Sequence, residues 1–347
     1  MQKIDFSVGN EKRFSDFITT LNAKDKIALI SHTDLDGVAS AKVVNKVVEA
    51  DIIRFVDYED LDDKLVKQLK KEKIKQVILC DLNIKDREFV NGLISFSKLL
   101  IIDHHPIHED YNSEKTVFLN PFGEEFYCST YICYYLFSKI QNLEKLDWLV
   151  ACACIADFAY LDNKEWMKGV YEKYKDTFIL NNGEISKNGK MWDLQWKLSL
   201  ALIYYEDNLE RLFNLIGEEF GNIQDLDKHT STVQKDINSY LNKFESERIE
   251  IQDGYFFEIN SRLGIKALIA NILSVKYSNK TIIIGSSKGE VYFLSARRQD
   301  KRKDMGALLE RLLGGFKNSS AGGHVPAAGA RFLLKDRKEF LRRLGLR

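Results

Sequence analysis

Between residues 26 and 103 the chain repeats one arrangement: a short apolar run, an acidic residue at its end, then an amphipathic stretch. The apolar runs are Lys26-Ile27-Ala28-Leu29-Ile30, Gln76-Val77-Ile78-Leu79-Cys80 and Lys98-Leu99-Leu100-Ile101-Ile102. They have the length of buried strands rather than helices. Residues 51–57 read as a further strand. Residues 38–48, 60–72 and about 85–96 carry apolar groups at helical spacing. Strands that alternate with helices predict right-handed βαβ units and a parallel sheet, so the expected class is α/β.

Three of those strand ends carry acids. The first leads into Ser31-His32-Thr33-Asp34-Leu35-Asp36-Gly37, the strand at 76–80 into Asp81, and the strand at 98–102 into Asp103-His104-His105-Pro106. Pro106 stops its strand. A parallel sheet sets all these ends on one edge, where open α/β sheets bind ligands. His32, Asp34 and Asp36 are two apart, so extended backbone would point them the same way. Imidazole and carboxylate donors together suit manganese, or iron, cobalt or zinc. A helix N-cap would account for one of the two Asp residues, but not for His32 and both acids. A fourth candidate is Asp157, within an apolar helix expected over 145–159, among Cys154, Ile155, Ala156, Phe158 and Ala159. A carboxylate in that company is costly unless it is paired or holds a metal.

The length of 347 residues exceeds one ordinary core, which makes two domains the expectation. No apolar run reaches the length of a membrane span, and Met1–Phe6 lacks a signal-peptide core, so a cytoplasmic, membrane-free protein is expected. The five cysteines form no CxxC pair and most lie in apolar runs, which predicts buried free thiols rather than disulfides or zinc. Formal net charge is zero, yet residues 291–347 hold 14 Lys and Arg against 5 Asp and Glu, a local excess of +9. A basic end on a neutral chain points to a local anion site.

Residues 160–250 read as charged helices, with Trp166, Trp192 and Trp196 as packing anchors. A second domain is expected from Ile251, with strands at 255–260, 280–285 and 290–296 and helices at 264–276 and 303–313. Ser295-Ala296-Arg297-Arg298 closes one strand, and residues 321–329 (AGGHVPAAG) are expected to form a loop of small residues. Glycines let a ligand approach backbone N–H groups, and Arg297, Arg298, Gly322, Gly323 and His324 together read as an anion clamp.

These motifs together resemble the DHH phosphoesterase family with its DHHA1 C-terminal domain, of the RecJ-like exonuclease or nano-RNase type. The motifs are His32-Thr33-Asp34-Leu35-Asp36-Gly37, Asp81, Asp103-His104-His105 and Asp157, with Gly322-Gly323-His324 and Arg297 near the C-terminus. One departure is Ala321, where many members carry a third glycine. The resemblance implies residues 1–160 as a catalytic DHH domain, 161–250 as a helical extension and linker, and 251–347 as a smaller α/β DHHA1 substrate domain, with the active-site cleft between the two α/β domains. It implies two manganese ions held by His32, Asp34, Asp36, Asp81, His104 and Asp157, with Asp81 and Asp157 shared between them. Asp103 would orient a histidine, and His105 would face the scissile phosphate.

The function implied is manganese-dependent hydrolysis of short single-stranded oligonucleotides, RNA or DNA, to nucleoside 5′-monophosphates. The alternatives are a phosphoesterase for 3′,5′-bisphosphonucleosides or cyclic dinucleotides, an inactive accessory protein of a replication complex, and a pyrophosphate or polyphosphate hydrolase. A homodimer is left open.

Overall fold

The computed structural model describes residues 2–22, 24–123 and 125–346. The chain separates into two compact units, Met1–Asp227 and Lys228–Arg347. The segment expected as a helical connector thus divides between them.

The first unit runs α1 (Glu11–Thr19), β1 (Ile27–His32), α2 (Leu35–Val48), β2 (Ile52–Val56), α3 (Asp63–Lys71), β3 (Gln76–Cys80), α4 (Arg87–Ile94), β4 (Lys98–Ile102), β5 (Thr116–Leu119), α5 (Ser129–Phe137) and α6 (Asp147–Ala156). After these come α7 (Lys164–Lys173), the two-stranded ribbon of β6 (Leu180–Asn181) and β7 (Glu184–Ile185), α8 (Lys190–Tyr204) and α9 (Leu209–Leu215). The main sheet has the order β2-β1-β3-β4-β5, and every pairing in it is parallel. The direction of strand order reverses between β1 and β3, so this is the switch point at which such sheets bind ligands.

Side chains of a strand point alternately to the two faces. Leu29, Ile78, Cys80, Leu100 and Ile102 join the core made with α2, α5 and α6. Ala28, Ile30, Val77, Leu79, Leu99 and Ile101 join the opposite core, with Leu65, Val66 and Leu69 of α3 and Phe89, Val90 and Leu93 of α4. Burial on both faces explains why these strands read as continuous apolar runs. Residues of α7, α8 and α9, among them Met167, Met191, Leu198 and Leu212, extend the first core. Trp166 packs edge-on against Tyr131 as an anchor. The five cysteines are all buried and free.

The second unit holds α10 (Asp227–Glu247, beginning on the last residue of the first unit), β8 (Ile249–Ile251), β9 (Gly254–Glu258), α11 (Lys266–Lys276), β10 (Thr281–Lys288), β11 (Val291–Arg297), α12 (Met305–Leu313), β12 (Ser320–His324), β13 (Ala327–Leu333) and α13 (Arg337–Arg343). Its mixed sheet runs β12-β13-β11-β10-β9-β8, with β9 and β10 parallel and the other pairs antiparallel. Phe256, Tyr292, Phe332 and Phe340 join Leu309 and Leu312 of α12 in its core.

The small-residue segment at 321–329 is a hairpin, not the expected loop. Gly322 faces Gly329, Gly323 faces Ala328 and His324 faces Ala327, with the turn at Val325-Pro326. Small side chains hide the alternation that marks a strand, while the backbone ladder forms without it. Gly323 has φ of +146°, and a Cβ there would lie 2.4 Å from the Ala327 carbonyl oxygen.

Candidate metal centre and anion recess

Every acid expected at a strand end stands at the C-terminal edge of the parallel sheet. His32 is the last residue of β1. Asp34 is the N-cap of α2, and its Oδ1 accepts from the Gly37 N–H at 2.9 Å. The helix begins at Leu35, so Asp36 lies in its first turn instead of continuing the extended backbone expected through 32–36. Asp36 therefore reaches the centre from a different direction. Its carboxylate accepts from the Ser129 N–H at 2.7 Å and the Thr130 N–H at 2.8 Å, at the N-terminus of α5, where free donors and the helix dipole favour an anion. Gly37 is required by contact: a Cβ there would sit 2.3 Å from the His32 carbonyl oxygen.

Asp81 follows β3 with left-handed backbone, φ +62°, and is 2% exposed. Its Oδ2 lies 3.7 Å from His32 Nδ1, and its Oδ1 lies 3.3 Å from His104 Nε2. His104 Nε2 also lies 3.6 Å from Asp157 Oδ2 and 3.9 Å from Asp36 Oδ2.

Asp157 is not inside a helix over 145–159. It is the C-cap of α6, which ends at Ala156. The Phe158 N–H reaches the Ile155 carbonyl and the Ala159 N–H reaches the Cys154 carbonyl at 2.9 Å, the pattern of a Schellman motif. Ending the helix there turns the carboxylate toward His104.

Two sets of three donors result, each set drawn within 4.8 Å: His32, Asp34 and Asp81, and Asp36, His104 and Asp157. They comprise the six residues expected as ligands. Asp81 with His104 and His105 forms a third such group. Asp81 thus touches both sets, one oxygen to each. Asp157 groups only with Asp36 and His104 among the described residues.

The donors face one another without satisfying one another. His32 Nδ1 lies 3.0 Å from Asp34 Oδ2, yet this buried nitrogen makes no hydrogen bond. Asp157 Oδ2 and His104 Nδ1 are also buried without a hydrogen-bond partner. Burial pushes the Asp81 carboxyl well above the usual range, and the charges of Asp36, Asp34, Asp103 and Asp157 add to it. Asp157 is pushed up to about 8, by burial first and then by Asp36 and Asp34. Burial pulls His104 down. Carboxylates crowded in a site of low dielectric are stabilised by a bound cation. The oxygen and imidazole donors, the orphaned atoms and the crowded charge all fit divalent metal ions.

Asp103 pairs with the second histidine of its motif. Its Oδ1 accepts from His105 Nδ1 at 2.8 Å, and its Oδ2 accepts from the Asn83 N–H at 3.0 Å. Burial lowers the His105 proton affinity, but the Asp103 bond and the nearby carboxylates lift it above its ordinary value. Sequence reasoning missed Tyr58, whose ring stacks on His32 at 4.4 Å and 9° and whose hydroxyl lies 3.2 Å from His105 Nε2. The aromatic character of residue 58, just past the 51–57 strand, was its one signal.

In the second unit Arg297 and Gly323 line an open recess of about 280 Å³, with Ser295, Ala327 and Gly329. Lys266, at the start of α11, lines it too and was not singled out from the sequence. Burial, then the charge of Arg297, pulls Lys266 down to about 8. Burial also lowers Arg297. No carboxylate lines this recess among the described residues. His324 is exposed on β12. Arg298 is directed elsewhere: 5% exposed, it binds Asp300 through Nε at 2.7 Å and Asp253 through Nη1. Its side chain ties β11 to neighbouring acids, whereas Arg297 Nη1 donates to backbone carbonyls, of Ala296 at 2.9 Å and Ala328 at 3.3 Å. Other basic residues of this unit are paired with acids in the same way, as Arg337 by Glu258 and Arg342 by Glu339.

Residues 26–161 match the family model described as the DHH family, N-terminal domain. This segment is a DHH-family domain. The structure of exonuclease RecJ bound to manganese is similar over 99% of this chain and 94% of its own, with a TM-score of 0.69 and 14% identity. The Mn2+ complex of RecJ from Thermus thermophilus gives 0.69 and 14% over 96% of this chain, which spans 53% of that protein. CDC45 from Entamoeba histolytica gives 0.62 and 10% over 97% of this chain and 99% of its own. At these identities the likeness is one of fold. No curated protein matches the chain. Among the described residues no helix is long and apolar enough to cross a membrane.

Proposed function

We propose that the protein is a metal-dependent phosphodiesterase that removes nucleoside 5′-monophosphates from short single-stranded oligonucleotides. The observation that carries this reading is the pair of donor sets joined through Asp81, with buried donor atoms left unpartnered between them. His32, Asp34 and Asp81 would hold one ion, and Asp36, His104 and Asp157 the other, with manganese as the preferred metal. When bound, such ions acidify a water nucleophile and offset charge on the phosphoryl oxygens.

The chain's own groups complete the site. The α5 N-terminus fixes the Asp36 carboxylate through two N–H bonds, so its oxygens need no reorganisation to serve as ligands. Asp103 holds the Nδ1 proton of His105, which leaves Nε2 for the substrate side, beside the Tyr58 hydroxyl. A proton on that Nε2 can be donated to a phosphoryl oxygen, and Asp103 raises the affinity for it. In the second unit, read as the DHHA1 domain, Arg297, Lys266 and the Gly323 backbone would hold a phosphate group. Two desolvated cations without an acid in their recess favour an anion there.

The test is hydrolysis with Mn2+ of di- to pentanucleotides, longer single strands, a 3′,5′-bisphosphonucleoside, a cyclic dinucleotide and pyrophosphate. The reading expects the short strands to be cleaved fastest, with mononucleotide product. Turnover confined to pyrophosphate or to the bisphosphonucleoside would replace it.

A further inference from the structure

Phe158 is the most exposed large hydrophobic side chain among the described residues, at 71%. It also has left-handed backbone, φ +58°, and is the one aromatic residue in that region among them. Its position explains the conformation. In the Schellman motif that ends α6, Phe158 occupies the site that glycine usually fills, because a Cβ there meets the following carbonyl. The next two residues turn back into the core, Ala159 at 0% and Tyr160 at 4% exposed. A strained backbone therefore holds a large ring outward.

The residue also adjoins the chemistry along the chain. Asp157, whose Oδ2 lies 3.6 Å from His104 Nε2, is its neighbour in the chain, about 3.8 Å away between Cα atoms. Two other half-exposed aromatics border the centre, but both are engaged there: Tyr58 stacks on His32, and Phe126 packs edge-on to His104 at 5.4 Å. The ring nearest Phe158 is Tyr160, at 6.4 Å between centroids. An exposed aromatic ring on the residue that follows a candidate metal ligand suits a nucleobase, which stacks whatever its identity.

We propose that Phe158 is the stacking platform for the nucleobase adjoining the scissile phosphate. This rests on the phosphodiesterase reading and extends it: the ring gives the site a preference for base-bearing substrates over bare phosphate chains, without a preference among the bases.

The test uses the full chain with Mn2+, and reads binding apart from turnover. Binding is measured with a non-hydrolysable phosphorothioate dinucleotide and with its abasic counterpart. Phe158→Ala should weaken binding of the dinucleotide by about 5- to 100-fold and leave the abasic compound unchanged. Phe158→Trp should restore the affinity. Phe158→Gly should bind as weakly as Phe158→Ala, yet melt about 2–4 °C above wild type because the strain is gone. Equal affinities of wild type and Phe158→Ala for the dinucleotide, or equal losses on both compounds, would overturn the proposal. Binding through Phe158 without cleavage of any phosphodiester by wild type would support the platform and remove the hydrolase reading. Cleavage with no dependence on Phe158 would do the reverse.

Discussion

Asp81 carries more of the site than any other residue. Among the described residues it is the one carboxylate with an oxygen toward His32 and another toward His104. Asp81→Asn should lower kcat on a dinucleotide by at least about 10²-fold, with a much smaller change in KM, because a shared ligand acts on the transition state more than on ground-state binding. Steady-state kinetics at saturating Mn2+ reads this, and a variant with near-normal kcat would show that the centre is misplaced. Lys266 offers a pH test in the other unit. Its proton is held to about pH 8 in the folded chain and to about pH 10.4 when unfolded. The unfolded chain binds more protons between those values, so this group adds stability to the ligand-free protein as pH rises from about 8 to about 10.4. Anion affinity moves the opposite way, because the ammonium is lost. Binding of inorganic phosphate to the metal-free protein should weaken as pH rises past about 8, and Lys266→Met should remove that step. An identical pH profile in the variant would exclude Lys266 from the recess. The ligand-type residues were legible because acids and histidines stood at the ends of apolar runs. Lys266 was not, since one lysine among 51 basic residues carries no local signal.

At the scale of elements, α2 is seated on β1 with no room to spare. Its first turn must bring Asp34 and Asp36 close to His32, and Gly37 makes that approach sterically allowed. Gly37→Ala should cost about 1–3 kcal/mol of stability and weaken Mn2+ binding together, as measured by urea unfolding and metal titration. A stable variant with normal metal affinity would mean that the turn adjusts freely. The parallel strands were readable because both faces are buried, which leaves continuous apolar runs such as Val77–Cys80. The end of α6 was not: the apolar run continues through Ala159, and only the Schellman bonds at Phe158 and Ala159 mark the stop. The β12–β13 hairpin was hidden for a different reason. Gly322, Gly323, Ala327, Ala328 and Gly329 have the composition of a turn, while their backbones are paired in a ladder. The short strand β5, at a sheet edge, had too few residues to stand out.

The whole molecule consists of two units, each with its own core. The first places six potential ligands on one sheet edge, and the second places two acid-free cations in one recess. Zero net charge over the chain conceals this difference, and Arg298, Arg337 and Arg342 are paired with acids of their own unit. The central claim is that the Asp and His groups act by holding divalent ions. Protein stripped with EDTA and titrated with Mn2+, with bound metal counted and dinucleotide hydrolysis measured in the same samples, tests it most directly. The rate should be absent without metal and rise with occupancy to a plateau at about two ions per chain. Full activity in the stripped protein, or no activity at any occupancy, would contradict it.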